Sequence, residues 1–206
     1  MGGMENNTIS PPVTRQRRPA FDREKGVAIA KCLFHARGYD AVSIADLTQA
    51  LEINPPSLYA AYGSKLALFE RALRSYRSTD FLQIEKILRP GRPPAEALTD
   101  LMIAAARHYT KDPATRGCMI TEALQGDDEQ ACTLATALAK GPREQIRNYV
   151  AAHAPKSEVD RIVDYLLLNL RGLSAYSRLG YTQKKLIDCA RTAGRALEGE
   201  FTHLSP

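Results

Sequence analysis

From Asp22 onward apolar residues recur at three- and four-residue intervals, and no sustained alternation in twos appears. That spacing places apolar side chains on one face of a helix rather than on one side of a strand. Asp22 can cap a helix running to about Arg37, with Val27, Ala30, Leu33 and Phe34 as its apolar stripe and Gly38 as a left-handed stop. Further helices are predicted at about 65–88, 94–111, 118–125, 128–153, 157–179 and 182–200. Their breaks carry punctuation: Pro90 with Pro93-Pro94, Asp112-Pro113, Gly126, Pro155 and Gly180. Gly141-Pro142 falls inside the fifth of these helices and predicts a kink or split there. Ser157-Glu158-Val159-Asp160 reads as a capping-box-like start for the helix at 157–179, and Thr182 as the cap of the one after it. No fixed-length repeat is present. The fold class is therefore all-α, with a short helical head and a larger helical body.

Two shorter helices stand out between residues 43 and 62. Ser43 with Asp46 three residues later resembles a capping box, and Val42 and Leu47 occupy the positions of a hydrophobic staple. A helix from Ile44 to about Ala50 follows. Asn54 can cap a second helix whose first turn tolerates Pro55 and Pro56, because the amides they lack have no intrahelical partner anyway. Ile53 and Leu58 repeat the staple. Two helices separated by about four residues have the dimensions of a helix-turn-helix, although a purely structural αα-corner shares that spacing. In a helix-turn-helix the second helix enters the major groove by its first turn. Leu58 would be its buried anchor, leaving Pro55, Pro56, Ser57 and Tyr59 available to DNA.

The run from Gly38 to Phe69 resembles the DNA-binding signature of the TetR family of bacterial regulators. The pieces that carry the resemblance are Gly38-Tyr39, Ser43-Ile44-x-x-Leu47, Leu58-Tyr59-Ala60-Ala61-Tyr62-Gly63-Ser64-Lys65 and Leu68-Phe69. The resemblance implies that Tyr59 lies against the DNA backbone and that Lys65 binds phosphate at the start of the next helix. It implies Ser43 as a further phosphate contact, and Ser57 with the faces of Pro55 and Pro56 at base edges. One departure matters: no Arg, Lys or Gln stands between Pro55 and Tyr62, so that helix makes no bidentate guanine contact. Specificity then leans on apolar contacts, Asn54 or Ser57, DNA shape and an arginine arm.

The same resemblance implies a homodimer on a palindromic operator, acting as a repressor that a small-molecule effector releases. It divides the chain into a flexible basic arm at 1–20, a DNA-binding head at 21–68 and an effector-binding and dimerisation body at 69–206. Dimerisation is expected through the last two long helices, with Leu166, Leu170, Leu173 and Tyr176 at helical spacing and the stripe widened by Leu167 and Leu168. An effector pocket is expected between helices from about 94 to 179. Met102, Tyr109, Cys118, Met119, Tyr149, Tyr165 and Asn169 are its candidate lining, and each also suits a plain core position.

Charge sharpens the picture at one end. The net charge is +5, and residues 1–78 hold 11 Lys/Arg against 7 Asp/Glu while residues 79–206 hold 17 against 16. Basic charge supplies the sequence-independent part of attraction to phosphate. Arg15, Arg17 and Arg18 sit in a segment rich in Asn, Ser, Thr and Pro that has no packing period; they form either a solvated tail or an arm that touches DNA. No apolar run approaches the length of a membrane span or a secretory leader, which points to the cytoplasm. Cysteines 32, 118, 132 and 189 form no CxxC pair and fit reduced thiols, with no metal or cofactor expected. Cys118 follows Arg116-Gly117 ahead of a helix, a setting that can lower a thiol pKa, so it reads as either an electrophile or redox switch or an inert core thiol. Histidines 35, 108, 153 and 203 show no ligand spacing and the glycines form no phosphate loop, so an enzyme is not expected. A helical adaptor protein is the remaining alternative, separable by salt-dependent binding to promoter DNA.

Overall fold

Ten helices and no strand make up residues 21–204, the part of the chain described by the computed structural model. Arg15, Arg17 and Arg18 lie outside the described residues. In chain order the helices are α1 (Arg23–Arg37), α2 (Ile44–Leu51), α3 (Pro55–Tyr62), α4 (Lys65–Thr79), α5 (Ile84–Ile87), α6 (Pro94–Tyr109), α7 (Met119–Ala123), α8 (Glu129–Ala151), α9 (Lys156–Arg178) and α10 (Gln183–Leu204).

The helix starts in the first third follow from local chemistry. Asp22 accepts from the amides of Glu24 and Lys25 to open α1. Ser43 and Asp46 form a complete capping box on α2, and Asn54 accepts from Ser57 N at 2.9 Å to open α3. α1 stops at Gly38, whose φ of 80° disfavours any residue with a Cβ.

Three expectations are corrected. The helix predicted over 65–88 is broken at Asp80–Gln83 into α4 and α5. The break is tertiary: Lys31 of α1 pairs with Asp80, and Phe81 packs edge-on against Tyr76 with Arg77 over its other side. α8 runs through Gly141-Pro142 unsplit. Pro142 removes only the donor to Leu138 C=O, and its ring is buried against the body. α9 begins at Lys156 with no side-chain cap, one residue before the predicted start, and Glu158 pairs with Arg161 instead. Thr182 does cap α10, accepting from Lys185 N at 3.3 Å.

α4 packs on α1 on one side and on α7 and α8 on the other, while α6 is held between α9 and α10. The boundary expected at residue 68 therefore falls within α4, and one core runs from Val27 to Phe201. No helix among the described residues is long and apolar enough to cross a membrane.

Candidate nucleic-acid interface and inner cavity

Packing at α3 separates anchor from contact surface. Leu58, Ala61 and Tyr62 are buried, whereas Asn54, Pro55, Pro56, Ser57 and Ala60 are exposed and Tyr59 is 48% exposed. Burying Leu58 contributes about 1.5–3 kcal/mol and fixes the rotation of the helix. Tyr62 fixes its position against α1: its hydroxyl donates to Arg23 O at 2.9 Å, and its ring meets Phe21 edge-on. The approach is possible because residue 26 is glycine, where a Cβ would stand 2.0 Å from the Tyr62 oxygen. This contact sets the exposed Arg23 and Lys25, at the start of α1, beside the far end of α3. Sequence reasoning treats that segment only as a helix cap and misses both cations; their place soon after Arg15, Arg17 and Arg18 in the sequence is the available signal.

Two expected contacts are already occupied. The Ser43 hydroxyl accepts from Asp46 N at 3.1 Å and donates to the Asp46 carboxylate, so phosphate binding by that hydroxyl would have to open the capping box. Arg37, and after it Ser43, hold the Asp46 carboxyl well below the usual carboxylate range. Asn54 Oδ1 is taken by the cap on α3, which leaves its amide NH2 as the group free to donate.

Lys65 occupies the first position of α4, where Ser64 accepts from Ala67 N. The amides of Lys65 and Leu66 have no intrahelical acceptor and carry the positive end of the helix dipole. The Lys65 ammonium sits 4.0 Å over the Tyr39 ring, and that ring is itself held 4.7 Å from Phe69. Partial burial lowers the Lys65 pKa. The aromatic floor thus limits where the ammonium can point.

A cavity of about 410 Å³ opens among α4–α9. Of the candidate pocket residues, Tyr109 and Cys118 line it. Met102 and Met119 are core residues and do not line it. Tyr149 donates to Arg92 O, Tyr165 donates to Ala193 O and so ties α9 to α10, and Asn169 donates back to Tyr165 O. These five are corrected as lining residues: the apolar wall is built instead by Leu101, Ile120, Ile146, Leu167 and Leu170. Sequence reasoning misses Tyr76, which lines the cavity while its hydroxyl is itself buried, near the Cys118 thiol and the Met119 amide. Burial drives that hydroxyl's pKa far up, so it stays protonated. Tyr76, Phe81, Leu82 and His108 also line a second cavity of about 440 Å³, beside Lys31, His35 and Asp80.

Cys118 is buried at the start of α7, with its amide donating to Ser174 Oγ at 2.9 Å. The neighbouring Arg116 points away, donating to Ser177 O and Tyr181 O. The basic neighbour invoked for a reactive thiol is thus committed elsewhere.

A polar link joins the end of α1 to α7 and α9. The His35 Nε2–H donates to Gly117 O at 3.2 Å, a carbonyl being able only to accept. Arg178 of α9 donates to His35 O at 3.0 Å and Ala36 O at 3.2 Å, and pairs with Glu122 at 3.2 Å. Glu122 in turn accepts from Ser174 Oγ. Orphan carbonyls at the end of α1 are therefore satisfied by a side chain from the body.

The stripe expected for dimerisation is also corrected. Leu166 and Leu173 are buried in the protomer's own core, and Leu170 faces the cavity. Tyr176 is 48% exposed, and the large apolar side chains most open on α9 are Leu168 at 73% and, just after the helix, Leu179 at 72%. With Gly172 and Ala175 these two leucines form a stripe at i, i+4, i+7 and i+11.

Residues 27–72 match the family described as bacterial regulatory proteins, tetR family. The chain is 39% identical over 184 residues to the HTH-type transcriptional repressor BdcR of Escherichia coli strain K12, covering 89% of this chain and 92% of that protein. It is 29% identical over 195 residues to the repressor ComR of the same organism, covering 88% and 91%. Among solved structures it superposes on the TetR family regulator CifR, a cysteine mutant complexed with 26 bp double-strand operator DNA, with a TM-score of 0.74. Identity there is 30%, covering 87% of this chain and 99% of CifR.

Proposed function

Because the chain belongs to the TetR family of bacterial transcriptional regulators, we propose that it is a homodimeric repressor that holds a palindromic operator and releases it when a small molecule fills the inner cavity. The observation that carries this reading is α3 itself: a buried Leu58 beneath an exposed first turn, followed at once by the open N-terminus of α4. That arrangement suits a first turn in the major groove with phosphates on either side.

In this reading Tyr59, Lys65 and the amides of Lys65 and Leu66 grip the backbone. Arg15, Arg17 and Arg18 supply an arm, and Arg23 and Lys25 extend the basic edge. Pro55, Pro56, Ser57 and the Asn54 amide meet the bases. With no cation on α3, base discrimination is modest per contact, and the two heads of a dimer share it. Residues 1–20 serve as the arm, 21–68 as the DNA-binding head and 69–206 as the sensing and dimerising body, with α4 as the element common to both. The work is done in the cytoplasm, where the DNA is, and involves no chemistry on a substrate. Repression is the sign favoured by the relatives, both of which are repressors.

Genomic fragments captured by the purified protein test the reading. One palindromic sequence should be enriched, its half-sites about one helical turn or a multiple apart, and anisotropy should show affinity falling steeply with salt. Capture without a common sequence, or binding indifferent to salt, would overturn it.

A further inference from the structure

Charge around the inner cavity is one-sided. Its lining includes Lys140 and Arg143 of α8 and Arg171 of α9, and no Asp or Glu. All three cations are exposed, so they stand at the mouth, while Leu101, Ile120 and Ile146 are buried within. Arg143 is partly matched by Asp164 at 3.3 Å. Lys140 and Arg171 have no ion-pair partner among the described residues. Burial lowers the pKa of the fourth basic group, His108, which is therefore neutral near pH 7.

We propose that the cavity takes an amphipathic anion: an apolar body among the leucines and isoleucines, and a carboxylate-type head between Lys140 and Arg171. A cationic or zwitterionic amine is disfavoured, because no carboxylate lines the wall to receive it and the mouth repels it. A neutral apolar molecule fits the walls and leaves the cations unmatched. A volume near 410 Å³ lies in the range of pockets that enclose small organic ligands. The inference rests on the ligand-responsive reading above and gives its ligand a chemical class.

Calorimetry on the full chain without DNA tests it, using decanoate, decanol, decyltrimethylammonium and acetate as probes. Decanoate should bind about tenfold or more tightly than decanol, with no binding of the ammonium or of acetate. Lys140→Gln and Arg171→Gln should each weaken decanoate about three- to tenfold and leave decanol unchanged. Equal affinities for the anion, alcohol and ammonium, or mutants that lose decanol and decanoate alike, would overturn the proposal. Operator anisotropy separates it from the regulatory reading. Decanoate that binds without releasing DNA supports the anion site and counts against release. Failure to bind decanoate in a protein that holds its operator overturns the anion site alone.

Discussion

His35 and His108 are both buried enough to disfavour their charged forms, and both have pKa values lowered from 6.5. For His35, burial is the main cause; the bond to Gly117 O and the charge of Asp80 pull the other way, while Arg178 and His108 push it further down. Each histidine takes a proton more readily in the unfolded chain, so unfolding binds protons as pH falls through 6.5. Stability should be full above about pH 7 and decline through the window just below the unfolded pKa. Asp46 does not mask this, since its depressed pKa holds its contribution until pH drops below 3.8. NMR titration should find both midpoints below 6.5, with the melting temperature falling as pH drops through that region; a His35 midpoint at or above 6.5 would contradict the burial argument. Lys65 carries a second prediction. Lys65→Ala should reduce the slope of log affinity against log salt by about one phosphate's worth, for operator and nonspecific DNA alike, and leave folding intact. An unchanged slope would mean that the Tyr39-seated ammonium does not reach DNA. Ser43→Ala should act differently, losing about 1 kcal/mol of stability through the cap, a change read in thermal melts.

At the scale of elements, the legible features are those decided by neighbours in sequence. The capping box at Ser43, the Asn54 cap with its two prolines and the buried Leu58 are local, so α2 and α3 can be read from the amino-acid order alone. The break at residues 80–83 cannot, because Phe81 and Ile84 continue the apolar period and only Lys31 and Tyr76, brought there by the tertiary fold, end the helix. Pro142 misleads for the opposite reason: a local rule predicts a break that burial of the ring overrides. Arg178 is equally illegible, a lone basic residue near a helix end with no pattern to distinguish it. It satisfies two carbonyls of α1 from α9 with 26% of its side chain exposed. Arg178→Met keeps the stem and removes those bonds, which should cost about 2 kcal/mol and lower the melting temperature by about 4–8 °C. Hydrogen exchange should quicken in the last turn of α1 more than in α3. Equal loosening of both would show that Arg178 supports the fold generally rather than joining α1 to the body.

For the whole molecule, family resemblance makes the architecture legible, but it cannot say which side of a long helix faces a cavity, a core or a partner. Every third or fourth position of α9 is apolar, so the period alone admits several stripes. Burial chooses among them: Leu166 and Leu173 belong to the core, and Leu168, Gly172, Ala175 and Leu179 are left on the outside. The small residues at 172 and 175 would let a second copy approach closely, and the flanking leucines would supply the apolar area. α10 presents Cys189, Thr192, Ala196 and Gly199 on its own exposed side, so the two helices together offer a surface on which a second pair could close a four-helix bundle. If that is the dimer face, Leu168→Glu should split the dimer at little cost to the protomer, because the side chain is already 73% exposed. Leu173→Glu serves as the contrast, since burying a charge there should unfold the body. A single head, lacking any cation on α3, should bind weakly; a dimer would bind its second half-site at high effective concentration and gain orders of magnitude without new contacts. Sedimentation of Leu168→Glu should therefore show a folded monomer, and footprinting should show the palindrome lost while weak salt-sensitive binding persists. A dimer undisturbed by Leu168→Glu would place the interface on another face, and a monomer that still protected both half-sites would break the tie between pairing and recognition.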